Sequence, residues 1–198
     1  MSELLRAVPA RGNYEIQHDD SGSTRVKLFA PHGGCIEPCT GALVRVIAAG
    51  RTDFFVFRGM RRKDCYGTLH VASANYDEER CRAMAHSAEV AVAIHGCDGR
   101  ESFIEVGGGN AALASRLRQD LDGKGFPARP ASDRRKGEDA RNFINLSRHK
   151  GVQLELSVGF RRSLYADFPR TLQANPVALR SFVQAMQDWI QEVETTLA

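Results

Sequence analysis

Thr24-Arg25-Val26-Lys27-Leu28-Phe29-Ala30 runs without a break into Pro31-His32-Gly33-Gly34-Cys35-Ile36-Glu37-Pro38. The first seven residues are β-branched and apolar enough to predict a strand. The next eight predict a tight turn at its end. Two glycines let the backbone bend and approach a ligand with no Cβ in the way. The turn sets an imidazole and a carboxylate five residues apart. His32 and Glu37 are thus two of the three protein ligands that a catalytic zinc site needs, the fourth position being left for water.

Outward from this turn, strand and helix patterns alternate. Asn13–Gln17 reads as a short strand, and Thr40 as a cap for a buried helix carrying Leu43, Val44, Val46 and Ile47. Phe54–Phe57 and Thr68–Ser73 read as further strands, with a helix from Asp77 to Ala85. Glu89–Ile94 is an almost continuous apolar strand ending at His95-Gly96, and Phe103–Val106 is another, closed by three glycines. Leu113, Leu117 and Leu121 mark a helix to about Gly123. Arg129–Arg141 is polar and reads as a mobile loop. Val152–Ser157 alternates with period two. Asn175-Pro176 opens a long helix whose stripe is Leu179, Phe182, Val183, Met186, Ile190, Val193 and Leu197. This interleaving predicts an α/β fold, a β-sheet covered by helices on both faces, in a single domain over residues 1–198.

Bulk properties narrow the partners. A net charge of +3 is too small to argue for nucleic acid. The 22 arginines against 5 lysines suit either compositional bias or an anion-binding surface, because guanidinium forks grip carboxylates. Residues 1–25 carry Glu3, Arg6, Arg11, Glu15, Asp19 and Asp20, so no secretory signal is read, and no run is long enough to cross a membrane. A cytoplasmic protein is expected, with release by lysis left open. The 5 cysteines show no disulfide framework and are expected to be thiols.

Ligands of α/β folds gather beyond the carboxyl ends of strands. His95 occupies such a position, as His32 does, and it completes a zinc set of His32, Glu37 and His95. Zinc held there acidifies water and polarises a carbonyl. A carboxylate is then needed to move the proton, and Glu155 is the candidate: Gln153, Glu155 and Ser157 point away from the side that Val152, Leu154 and Leu156 bury. Arg161 and Arg162 follow closely enough to clamp a carboxylate or stabilise an oxyanion. His70 is a candidate substrate contact. The competing assignment gathers Cys35, Cys39 and Cys97 around a structural metal, in a non-enzymatic polyanion-binding or redox-sensing module.

The blocks His32–Thr40, Thr68–Ser73, Ile94–Gly96 and Gly151–Ser157 resemble the phage-type poly-γ-glutamate hydrolase family over roughly residues 12–197. The resemblance implies a zinc carboxypeptidase-like (phosphorylase/hydrolase-like) core, with a mixed sheet between helices. It implies Zn2+ on His32, Glu37 and His95, and Glu155 as the catalytic carboxylate. It also implies, as substrate, an anionic polymer of glutamate joined through γ-amides, for which Arg161 or Arg162 is a natural clamp. A small N-acyl amino acid is the alternative substrate, and a monomer is expected. Two features depart from the family pattern: Cys39 stands where a glycine is usual, and the Arg129–Arg141 loop has no match.

Overall fold

Period-two alternation decides which residues of each strand meet which layer of helices. The computed structural model describes residues 1–166, 168–169 and 172–197. Seven strands form one mixed sheet: β1 (Tyr14–Asp19), β2 (Val26–Gly34), β3 (Phe54–Gly59), β4 (Val90–Cys97), β5 (Ile104–Gly107), β6 (Ala128–Pro130) and β7 (Val152–Ser157). Their order is β1-β3-β2-β4-β7-β5-β6. Strands β3, β2, β4 and β7 are parallel neighbours, while β1 pairs antiparallel with β3 and β5 antiparallel with β7.

Val26, Leu28 and Ala30 share one face with Val92, Ile94, Val152, Leu154 and Leu156. Three helices cover that face with Leu43 and Ile47 of α2 (Thr40–Ala48), Leu117 and Leu121 of α5 (Ala111–Gly123), and Phe182, Met186 and Trp189 of α7 (Pro176–Thr196). The short α6 (Val158–Leu164) adds Phe160 and Leu164. Phe29, Phe55, Phe57, Ala91 and Ala93 face the other way. They pack on Met1, which precedes α1 (Ser2–Ala7), on Leu69 of α3 (Cys65–Leu69), on Cys81 and Met84 of α4 (Glu79–Ser87), and on Phe143 and Ile144 of a 3₁₀ turn (Phe143–Leu146). Each buried Val, Leu, Ile, Phe or Met side chain among these contributes about 1.5–3 kcal/mol. Lys27 shares this second face and is buried there, its ammonium held by Asp20 at 2.6 Å, Ser87 at 2.9 Å and Asp53 at 3.4 Å.

One irregularity places the site. Ala30 pairs with Val56, but Gly33 pairs with Arg58. Pro31 and His32 together therefore oppose Phe57, a bulge that adds one residue to β2. A one-residue shift reverses the side on which every later side chain falls. His32 therefore leaves the Leu28–Ala30 face and joins Phe57 and Phe29.

Two expectations of regular structure are corrected. Thr68–Ser73 is not a strand: Thr68 and Leu69 end α3, and Ser73–Asn75 is a 3₁₀ turn. Asp64 explains the difference, because its carbonyl accepts from the Thr68 N–H at 3.1 Å and its carboxylate from the Thr68 hydroxyl at 3.1 Å, closing a helical turn. Thr40 is the first residue of α2 rather than its cap. Its hydroxyl donates to the Glu37 carbonyl at 2.9 Å, and Cys39 takes the capping position. Cys39 sits at φ 75, the left-handed region that glycine enters freely and other residues enter at a cost of about 1–2 kcal/mol.

Gly34 ends β2 at φ +69, and a Cβ built on it would lie 2.1 Å from the Gly59 carbonyl oxygen of β3. The Gly34→Ala change is expected to cost about 2–5 kcal/mol through backbone strain and displacement of β3. Thermal unfolding checks it: Tm should fall by roughly 5–15 °C, and an unchanged Tm would contradict this close approach.

Candidate active site

Once His32 has crossed to the Phe57 face, three strands present their polar residues in one row. His95 of β4 pairs with Glu155 of β7, and Glu155 pairs with Glu105 of β5. His32 stands on β2, beside β4. The turn after β2 is closed by the Glu37 N–H donating to the His32 carbonyl at 2.8 Å, which brings the Glu37 side chain back over the strand end.

The donor atoms converge tightly. His32 Nδ1 lies 2.9 Å from Glu37 Oε1 and 3.2 Å from His95 Nδ1, and His95 Nδ1 lies 3.5 Å from Glu37 Oε2. The Gly96 N–H donates to Glu37 Oε2 at 2.8 Å. All three side chains are buried. His70 offers a different third donor, its Nε2 3.9 Å from Glu37 Oε1. His95 is the nearer of the two, and it sits on a strand rather than on a connection.

Proton placement shows what this cluster needs. His32 Nε2 lies 2.8 Å from the Val71 carbonyl oxygen, which can only accept, so Nε2 carries the proton. Nδ1 of His32 then faces a carboxylate and a second imidazole. A positive charge, either a further proton or a metal ion, is required to hold these groups together. Two imidazoles and a carboxylate suit zinc, and an outer ring N–H given to a backbone carbonyl is the usual support for a metal-bound histidine. Burial raises the Glu37 carboxyl, but the charge and hydrogen bonds of His32 and His95 outweigh it and hold Glu37 well below the usual carboxylate range. Burial lowers His95, yet its partnership with Glu37 leaves it above an ordinary histidine. Burial and the charge of His32 draw His70 down to about 4, so it is neutral near pH 7.

Glu155 lies on the same face, half-buried, and burial raises its pKa above that of an ordinary glutamate. Gln153, two residues earlier, donates from Nε2 to Glu155 Oε1 at 3.0 Å and accepts from Asn142 Nδ2 at 3.1 Å. This chain aims the carboxylate. His32, Glu37, His95, Glu155, Tyr66 and His70 open on one cavity of about 760 Å³, which residues 133–139 line from the opposite side.

The structure does not bring every expected residue into this cavity. Arg161 is buried behind it, donating to the Pro38 carbonyl at 3.1 Å and the Cys97 carbonyl at 3.0 Å, so it ties together the two loops that follow Glu37 and His95. Arg162 is exposed on α6, away from the cavity lining. The Arg129–Arg141 segment is not a free loop. Its start is strand β6, Asp133–Arg135 is a 3₁₀ turn, and Arg129, Ser132 and Arg135 all bond to buried Glu105. Asn142 and Glu105 are neighbours that sequence reasoning missed, and Gln153 was placed on the Glu155 face without a role. Alternation located Gln153 beside Glu155, whereas Glu105 resembles any strand glutamate.

The cysteine expectation is also corrected. Cys35 and Cys65 form a disulfide, with Cα atoms 5.9 Å apart, because the β2 turn and the start of α3 both abut Gly59. That removes Cys35 from any thiolate metal set. The Cys39 and Cys97 thiols are each raised to about 12, chiefly by burial, and stay protonated. The bridge joins the turn that carries Glu37 to the helix that leads to His70.

A mixed sheet with a buried His/Glu cluster and a separate carboxylate at its carboxyl edge defines an α/β protein with a metal-capable polar centre. Comparison with known proteins is more specific. The Poly-gamma-glutamate hydrolase family matches residues 1–188, and the chain belongs to that family. It is 31% identical over 159 residues to UPF0714 protein YmaC of Bacillus subtilis (strain 168), a match covering 79% of this chain and 67% of YmaC. UPF0714 protein YndL of the same organism is also 31% identical over 159 residues, with 79% of this chain and 62% of YndL covered. The chain thus spans about two thirds of the length of these curated relatives. Its fold superposes on a bacteriophage poly-gamma-glutamate hydrolase with a TM-score of 0.90 and 26% identity, covering 97% of this chain and 95% of the other. A zinc-free YndL structure gives a TM-score of 0.89 at 28% identity, covering 96% and 95%.

The disulfide closes a loop of 30 residues. Its loss, by Cys65→Ser or by a reductant, is expected to cost about 3–4 kcal/mol of stability. Denaturant unfolding with and without reductant checks this. The wild type should lose stability on reduction and the variant should not, while a reductant-insensitive wild type would show that the bridge is absent.

Proposed function

We propose that this protein is a zinc-dependent hydrolase that cleaves γ-glutamyl amide bonds in poly-γ-glutamate, with residues 1–198 acting as one domain and as a monomer. The observation that carries this reading is the approach of His32 Nδ1, His95 Nδ1 and the Glu37 carboxylate to within 3.5 Å of one another, beside the cross-strand partner Glu155. His32, Glu37 and His95 would hold the ion, and the order and type of these ligands support kinship with zinc carboxypeptidases. Zinc, when bound, supplies Lewis acidity toward the amide carbonyl and the water that attacks it.

The remaining chemistry belongs to the chain. Glu155, aimed by Gln153, takes the proton of the attacking water and delivers it to the leaving amine nitrogen. Its raised pKa brings it closer to working pH, where one group can both accept and return a proton. Neutral His70, stacked on Tyr66 with ring centroids 4.4 Å apart, forms the wall against which the glutamyl unit lies. Arg161 fixes the Pro38 and Cys97 carbonyls and so keeps the ligand loops in register. It acts as a positioning residue rather than as the substrate clamp.

No described helix is long and apolar enough to cross a membrane. The cytoplasmic expectation loses the support of free thiols at Cys35 and Cys65. An enzyme released by lysis into an oxidising medium is the setting that the bridge suits.

Two variants separate the roles. His32→Ala should purify without zinc, whereas the wild type should carry about one ion per chain. Glu155→Gln should keep the ion and lose about 10²–10⁴-fold in kcat. Metal analysis and shortening of γ-linked polyglutamate on a gel read both. Full activity in Glu155→Gln, or a wild type unable to take up zinc, would reject the mechanism.

A further inference from the structure

Glu105 is a buried carboxylate that takes no part in the cluster around Glu37. Cross-strand pairing sets it directly opposite Glu155, and like charges so placed repel. The protein answers with donors. Glu105 Oε1 accepts from Arg129 Nη2 at 2.9 Å and from Arg129 Nε at 3.3 Å. Glu105 Oε2 accepts from Ser132 Oγ at 3.1 Å and from Arg135 Nη1 at 3.0 Å. Burial raises the Glu105 carboxyl, but these bonds outweigh it and keep Glu105 ionised.

Arg135 is the member of this group that also lines the cavity. Its side chain is two-thirds buried, and it lies close enough to Glu155 for each charge to favour the other. A guanidinium has five donors in a rigid plane. Among the described residues, Glu105 is the hydrogen-bonding partner of Arg135, and it takes Nη1. The edge formed by Nε and Nη2 is free, and that edge matches a carboxylate in two-point pairing.

The other cations near the cavity are less suited. Lys136 is paired with Asp133 at 2.9 Å, Arg134 is exposed, and Arg161 is spent on backbone carbonyls. Asp98, Asp133, Glu138 and Asp139 also line the cavity, so overall charge does not draw in an anion. Recognition there has to come from a fixed donor geometry.

We propose that Arg135, clamped by buried Glu105, is the specificity-determining residue that pairs with the free α-carboxylate of the glutamyl unit at the scissile γ-amide. The proposal rests on the γ-glutamyl reading above. Glu105 acts through Arg135 as a positioning residue.

Calorimetric titration tests it on zinc-loaded Glu155→Gln protein, in which turnover is suppressed. The probes are a γ-linked glutamate trimer and the same trimer with its α-carboxylates converted to amides. The acid form should bind about tenfold or more tightly than the amide form. Adding Arg135→Gln should abolish that preference with the fold retained by circular dichroism, and adding Glu105→Gln should weaken it. In the active enzyme, Arg135→Gln should raise KM far more than it lowers kcat. A preference that survives Arg135→Gln overturns the role of Arg135 and leaves the γ-glutamyl reading intact. No preference in the Glu155→Gln parent overturns both.

Discussion

The convergence of two imidazoles and a carboxylate at one buried point governs this structure. The Val71 carbonyl accepts a hydrogen bond from His32 Nε2, so Nδ1 faces the Glu37 carboxylate and His95. A further proton or a metal ion at the centre would hold these groups together. Much of the surrounding backbone serves to bring those atoms together. The β2 bulge turns His32 to the correct face, Gly34 lets β2 pass against Gly59, and the Gly96 N–H fixes the second oxygen of Glu37. The buried Arg161 guanidinium then ties the two ligand loops from behind.

Next to this centre, the sheet places three titratable groups in one cross-strand row, His95, Glu155 and Glu105, and gives each a separate environment. His95 is engaged with Glu37. Glu155 is half-buried, held by a neutral amide, and has its pKa raised. Glu105 is buried among donors and has its pKa lowered. Two carboxylates on adjacent strands thus diverge in acidity because burial raises both, and Glu105 alone is given two guanidinium groups and a hydroxyl that outweigh it. Such divergence separates a group that can move a proton from one that serves as an anchor.

Much of the site was legible in the sequence, for identifiable reasons. The His-Gly-Gly turn announces itself after an apolar strand, His95 ends another such strand, and the alternation through Val152–Ser157 places Glu155 off the core. The bulge was not legible. Strict alternation from Leu28 would send His32 toward α2 and α7, and only the pairing with β3 shows the extra residue. Thr68–Ser73 has the composition of a strand, but a local turn anchored by Asp64 wins over propensity. The Cys35–Cys65 bridge joins residues thirty apart through a contact that no spacing rule encodes. The arginines show the same limit: proximity in sequence favoured Arg161 and Arg162, whereas Arg134 and Arg135 line the cavity, Arg135 being held by a carboxylate two strands from His95.

X-ray absorption at the zinc edge tests most directly whether His32, Glu37 and His95 hold a metal ion. For the zinc-loaded protein, nitrogen and oxygen neighbours alone are expected, at about 2.0–2.2 Å, with the scattering of two imidazoles. A sulfur contribution near 2.3 Å would place the metal on cysteine and rule out the His32, Glu37 and His95 set.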